Sequence, residues 1–392
     1  MSQSRRDFMK TMGVGAAGAY AATLISTRRQ ESIAFAAQTG IPVDEVINLA
    51  NNENPMGPGQ PVLDAVVNSL GTHGEVPGRY PFMMARPLDE AIAAKWNVKP
   101  ENVLVGAGST QILVNATQSY TSNSHALVGS LPTYEECFGY AALVGHKTKA
   151  VPLTSNLTMD LDQTFYACKG AGMLFYCNPN NPVASLVDPA EGAEFIKRVL
   201  KMNKDIRILV DEAYIDYVTT PGHKTMIQEA LEEPRLIVAR TFSKAYGMAG
   251  LRVGYAIAHP DTIKELDKYN MGNSISTLSY AAATAAVERD AKDASFIPNE
   301  RERNTAARSF TRKWFHDRGY TDTDAQANFM FVDVKMPIED FQAGCRAEGV
   351  RVGRPFPPLW THCRISIGTM DEMQRAVQVF DKVLSAAKEQ AA

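Results

Sequence analysis

Beyond about residue 45, short apolar runs alternate with longer stretches of helical period, and this alternation narrows the possible folds more than any other feature of the chain. A strand buried on both faces reads as a continuous Val/Ile/Leu run and must be covered by helices. Candidate strands are Ala126 to Gly129, Met173 to Tyr176, Ile206 to Val210, Leu236 to Ala239 and Val253 to Ala258. Candidate helices between them include Ser109 to Ser119, Glu135 to Val144 and Pro189 to Met202, the last with Asp188 placed as its N-cap. The pattern is that of an α/β protein with a mostly parallel central sheet flanked by helices.

From about Asp261 to Arg318 strand character disappears and the chain reads as long helices broken near Phe296-Ile297-Pro298, which marks a domain junction. Strands at Phe329 to Val334, Val350 to Gly353 and Arg364 to Ile367, with a closing helix from Asp371, then form a smaller α+β domain. The resulting division is 1–36 for an N-terminal signal, 37–75 for a segment packing with the small domain, 76–290 for the large domain and 291–392 for the small one.

Among 392 residues, 45% are hydrophobic and 21% charged, with a formal net charge of −3 and no basic block in the globular part, so nothing attracts nucleic acid. The five cysteines are widely spaced with no CxxC pair, and the histidines show no HxH or HxxxH spacing. A disulfide framework and a metal centre are both disfavoured.

The first residues read differently. Ser4-Arg5-Arg6-Asp7-Phe8-Met9-Lys10 precedes an Ala/Gly-rich apolar run from Thr11 to Ile25 and then Ala34-Phe35-Ala36, a small-x-small cleavage motif. This resembles a twin-arginine export signal removed after about Ala36, and it places the mature protein in the periplasm or outside the cell. The run is shorter than the roughly 20 residues a bilayer span needs.

The chemistry concentrates in Thr241-Phe242-Ser243-Lys244-Ala245-Tyr246-Gly247-Met248-Ala249-Gly250-Leu251-Arg252. Two hydroxyls and a guanidinium suit a phosphate monoester, and a lysine beside them can reach an aldehyde on the same molecule. Upstream, Asp211 ends an apolar strand, where open α/β sheets bind ligands, and a buried carboxylate there calls for a cation such as a protonated pyridine nitrogen. Asn178-Pro179-Asn180-Asn181-Pro182 follows another strand, and Gly106-Ala107-Gly108-Ser109-Thr110 opens a helix whose amides and hydroxyls can meet a phosphate.

In this order, over about 150 residues, the pieces resemble the fold-type I aminotransferases that use pyridoxal 5′-phosphate (PLP), and most of all the histidinol-phosphate aminotransferase group. Further resembling pieces are Asn52-Glu53-Asn54-Pro55-Met56-Gly57-Pro58, Arg79-Tyr80-Pro81, Pro132-Thr133-Tyr134 and Arg364-Ile365-Ser366-Ile367-Gly368. The resemblance implies an aspartate-aminotransferase-like architecture with the PLP-binding domain as the larger one. It implies that Lys244 carries the cofactor as a Schiff base and moves the substrate proton, and that Asp211 pairs with the ring nitrogen. Tyr214 and Asn181 would bond the ring oxygen, Tyr134 would stack on the ring, and Ser109, Thr110, Thr241, Ser243 and Arg252 would hold the phosphate. Tyr80 would reach over from a second subunit, making a homodimer. Arg364 would read the substrate carboxylate, with Arg354 for a second anionic group and Asn54 beside the substrate.

The implied reaction is amino-group transfer between an L-amino acid, or an amine resembling histidinol phosphate, and a 2-oxo acid. A PLP-dependent decarboxylase or lyase on the same scaffold is the alternative, and a non-catalytic binding protein is the third reading. One departure stands out: the family usually carries Asn-Pro-Thr-Gly where this chain has Asn181-Pro182-Val183-Ala184.

Overall fold

In a computed structural model of the chain, the described residues are 46–71, 76–82 and 85–391. The twin-arginine motif, the apolar run behind it and Ala34-Phe35-Ala36 lie outside them.

The strands are β1 (Ile47–Leu49), β2 (Val103–Ala107), β3 (Leu127–Leu131), β4 (Thr148–Pro152), β5 (Met173–Cys177), β6 (Arg207–Asp211), β7 (Leu236–Thr241), β8 (Val253–Ala258), β9 (Thr321–Asp322), β10 (Phe329–Asp333), β11 (Val350–Val352) and β12 (His362–Ser366). Seven of them form the central sheet in the order β2-β8-β7-β6-β5-β3-β4. Only β8 runs against the others in this sheet, pairing antiparallel with both β7 and β2. The expected mostly parallel sheet flanked by helices is therefore present.

The apolar runs are continuous because alternate residues of each strand feed different cores. Leu174 and Tyr176 of β5 join Ile208 and Val210 of β6 on one face, while Met173, Phe175 and Cys177 join Leu209 and Ile237 on the other. The helix Pro189–Met202 covers the first face with Phe195, Ile196, Val199 and Leu200, and its N-terminal amides at Ala190 and Glu191 bond to the Asp188 carboxylate at 2.9 and 3.1 Å. That bond meets the cap expected from sequence, a contact worth about 1 kcal/mol.

Two strands of the central sheet lack a sequence expectation. β4 is an edge strand with only Val151 buried, so it has no apolar run to betray it. β2 is apolar but ends in Gly106-Ala107, where the chain turns into the helix Gly108–Tyr120.

A separate apolar cluster gathers Ile47 and Leu49 with Phe329, Met330, Val350, Ile365 and Phe380. Here β1 pairs in parallel with β11, while β10 and β12 pair antiparallel. These strands make two small sheets, β1-β11 and β12-β10-β9, and the chain at Ala50–Asn54 leaves the first of them and enters the space above the large one.

Candidate active site

At the carboxyl ends of the parallel strands lies a cavity of about 610 Å³. Its lining takes in Ser109 and Thr110 after β2, Asp211 and Tyr214 after β6, and Thr241, Ser243 and Lys244 after β7. Strand direction explains how Arg252 joins them. The turn from Thr241 to Val253 is too short for a crossover helix, so β8 returns antiparallel and begins at the edge where β7 ended.

Arg252 itself has φ +53°. Its Nη1 donates to the Ala249 carbonyl at 3.0 Å and to Ser243 Oγ at 3.4 Å. Gly108, with φ +73°, packs so closely that a Cβ there would stand 2.4 Å from the Arg252 guanidinium. Hydroxyls, the guanidinium and the first amides of a helix therefore converge on one corner, an arrangement suited to a phosphate.

Asp211 is 3% exposed. It accepts a bond from the Ala213 amide at 3.1 Å, with the Cys177 thiol 3.9 Å away. Burial pushes its carboxyl up to about 6, against the opposing pull of the Ala213 amide and Lys244. Lys244 is brought down to about 8 by burial first and then by the positive charges of Arg364 and Arg252. A lysine in that range reaches its neutral, nucleophilic form far more readily than a solvated one. Burial raises the Tyr214 phenol well above its usual value.

Arg364 lies within β12, opposite Phe331 of β10, and crosses to the large sheet. Its Nη1 donates to Asn181 Oδ1 at 2.8 Å and its Nη2 to the Ala50 carbonyl at 2.6 Å. With the Asn181 oxygen committed, the amide nitrogen is the end left to donate. Ala184, at the altered turn, holds φ +59° while fully buried, a conformation in which glycine is unstrained. Even so, Asn181 stays in the cavity wall.

Tyr134 and Arg354 also line the cavity. Arg354 makes a close ion pair with Glu135, past the end of β3, and a local bond to the Pro355 carbonyl at 2.9 Å, with its guanidinium over the Phe356 ring. Two residues singled out from sequence stand elsewhere. Asn54 is buried outside the lining, its amide donating to the Ala245 carbonyl at 3.0 Å and its oxygen accepting the Met56 amide at 2.9 Å. Tyr80 is 73% exposed and packs its ring on Phe82, 5.6 Å between centroids.

Sequence reasoning missed Asn52, Glu53, Glu136, Gln342, Arg346 and Arg351, all of which line the cavity. Arg351 carries a usable signal, since it interrupts the apolar pair Val350 and Val352. Asn52 sits two residues from Asn54, and nothing local tells which of the two faces the cavity.

Three comparisons place this geometry among known proteins. The chain is 32% identical over 352 residues to the histidinol-phosphate aminotransferase of Moorella thermoacetica, covering 89% of this chain and 88% of that one. It is also 32% identical over 335 residues to the aromatic amino acid aminotransferase of Mycobacterium avium, with 85% and 90% covered. The histidinol-phosphate aminotransferase of Sinorhizobium meliloti, solved in complex with pyridoxal-5′-phosphate, shares the fold at a TM-score of 0.81 and 24% identity, covering 91% of this chain and 95% of that one. Residues 44–380 match the family described as aminotransferase class I and II, and the chain belongs to that family.

Proposed function

We propose that this enzyme is a PLP-dependent aminotransferase whose donor is an L-amino acid or a histidinol-phosphate-like amine and whose acceptor is a 2-oxo acid. The observation that carries the reading is the convergence of Lys244, Asp211, Arg252 and Arg364 on one cavity.

The residues fit the cofactor. The corner formed by Ser109, Thr110, Thr241, Ser243 and Arg252 offers hydroxyls and a guanidinium suited to a phosphate, and the glycine at 108 leaves it open. Asp211 is a buried carboxylate facing the cavity with no guanidinium or ammonium bonded to it, the condition a pyridinium nitrogen would relieve. Asn181 and Tyr214 would hold the ring oxygen, and Tyr134 would cover a ring face. When bound, PLP supplies an aldehyde that takes an amine and a ring that draws electron density from the substrate Cα.

Within this frame Lys244 holds a proton at Nζ and delivers it across the substrate, aided by its lowered pKa. Arg364 orients the substrate by its carboxylate, because a planar guanidinium matches two oxygens at once. Relatives named for both histidinol phosphate and aromatic amino acids leave the side-chain pocket to be defined by Arg354 and Glu136. Incubating the purified protein with a panel of amino donors tests the reading. Conversion of the bound cofactor to its amine form by at least one donor is expected, and release of carbon dioxide without 2-oxo acid consumption would overturn it.

We further read the chain as a homodimer exported by the twin-arginine route. Tyr80 and Phe82 present apolar rings to solvent that a second copy would cover, and Ser4 to Lys10 has the residue order of the export motif. Sizing of the mature protein and cell fractionation with Arg5 and Arg6 replaced by lysine test these two points.

A further inference from the structure

Asn52 lies just past β1 in the cavity wall, 1% exposed and with φ +56°. Each of its polar atoms is engaged. Its amide N–H donates to Ser366 Oγ at 2.7 Å, and the Ser366 hydroxyl donates back to Asn52 Oδ1 at 3.1 Å. That exchange fixes the orientation of the side-chain amide and aims Nδ2 at the Tyr214 phenol oxygen, 3.1 Å away. The Asn52 carbonyl accepts from Lys244 Nζ at 3.1 Å and from Asn328 Nδ2 at 3.0 Å.

We propose that Asn52 is a positioning residue that sets the direction of the Tyr214 hydroxyl and the resting place of the Lys244 amine, both referenced to the three-stranded sheet through Ser366 at the end of β12 and Asn328 just before β10. A phenol oxygen that accepts one N–H has its own proton turned elsewhere, here toward the cavity, and polarisation makes it a better donor. The carbonyl, in turn, gives the lysine amine a neutral acceptor when it is not otherwise engaged. The left-handed backbone is what points the carbonyl and the side chain to two different reacting groups, and asparagine is among the few side chains that tolerate it. The inference rests on the PLP reading, in which Tyr214 donates to the ring oxygen.

Under that reading, the Tyr214 proton stabilises negative charge on the ring oxygen and so competes with the proton which that oxygen shares with Lys244 Nζ. Weakening Tyr214 raises the pH at which the visible absorbance of the lysine-linked cofactor changes. Asn52→Gly keeps the positive φ and the carbonyl but removes the amide. It is expected to raise the absorbance midpoint by about half a pH unit or more with little change in melting temperature. Asn52→Asp keeps the size and the acceptor for Ser366 yet places an acceptor against the phenol, drawing its proton away, and a larger rise is expected.

A double-variant cycle separates positioning from general damage. In a Tyr214→Phe background, Asn52→Gly is expected to add no further shift. Unmoved midpoints in both single variants, or a full additive shift in the Phe background, would overturn the proposal. Should Asn52→Gly not fold, Ser366→Ala releases the same amide and is expected to give a smaller rise, with no rise counting against the idea. If the native protein itself shows no pH-dependent visible band with PLP, it is the cofactor reading that fails.

Discussion

Asp211 and Glu212 are adjacent acids at the end of one strand, yet they belong to different worlds. Glu212 points away from the cavity, 3% exposed, into a closed set of partners: the Thr225 hydroxyl at 2.7 Å, the Met226 amide at 2.8 Å and Arg240 at 3.1 Å. Arg240 completes the set through Asp216 at 2.8 Å, with its guanidinium over the Trp96 ring. Asp211, as deeply buried, receives one backbone amide and faces a cavity with Lys244 across it. A buried charge that exhausts its bonding capacity inside the protein is structural, whereas one left short and turned to a cavity awaits a ligand. The two-residue period of a strand puts neighbours on opposite faces, so one dipeptide serves both ends.

The sharpest break of this contrast is Lys244→Ala. It is expected to lower kcat by about 10⁴-fold or more, since it removes both the amine and the proton carrier, while thermal melting moves by only a few degrees. Single-turnover assays with a competent donor, beside a melting curve, check both halves.

Arg240→Ala should do the reverse. Leaving the buried Glu212 and the partly buried Asp216 without their guanidinium is expected to cost about 3–5 kcal/mol of stability, measured by denaturant unfolding, with activity per folded molecule largely kept.

Asp211→Asn is intermediate and has a pH signature. With the folded pKa raised to about 6 from an ordinary 3.8, Asp211 favours the fold below the unfolded value, and this contribution is lost as pH rises through 6. Protein stripped of cofactor should therefore lose stability between pH 4 and 7 relative to Asp211→Asn, by on the order of 2–3 kcal/mol. Equal pH dependence of the two proteins in denaturant melts would remove Asp211 from the group of unsatisfied charges.

The smallest effect is expected from Glu135→Gln, which takes from Arg354 its ion pair with Glu135. A KM for phosphate-bearing donors about two- to tenfold lower, a change of roughly 1 kcal/mol, with KM for uncharged donors unmoved, would mark Arg354 as a reader of a second anion. Steady-state kinetics with paired donors decides it.

Five of the seven strands of the large sheet are legible because burial on both faces leaves an uninterrupted apolar run, and the bounds of Val253 to Ala258 agree to the residue, whereas the apolar run of β2 is cut short by Gly106-Ala107. The edge strand β4 is not legible, because solvent on one side removes the apolar demand. The residues from Ser109 to Arg252 are readable as a site because each stands at a strand end on one edge of the sheet, where open α/β sheets gather their ligands. The small-sheet side was less readable: Arg364 was found, but Asn54 was chosen where Asn52 faces the cavity, and Arg346 and Arg351 were passed over.

By itself, the sequence determined the chemistry: an amine, an acid and a phosphate cradle must appear as Lys, Asp and Ser/Thr/Arg, and their order along the chain survives any detail of packing. Tertiary structure alone decided which of two nearby asparagines meets Tyr214 and Lys244, and how Arg354 reaches Glu135. These contacts join residues more than 100 positions apart, where no local period or turn propensity carries information. Only the docking of one sheet against the other sets their distances.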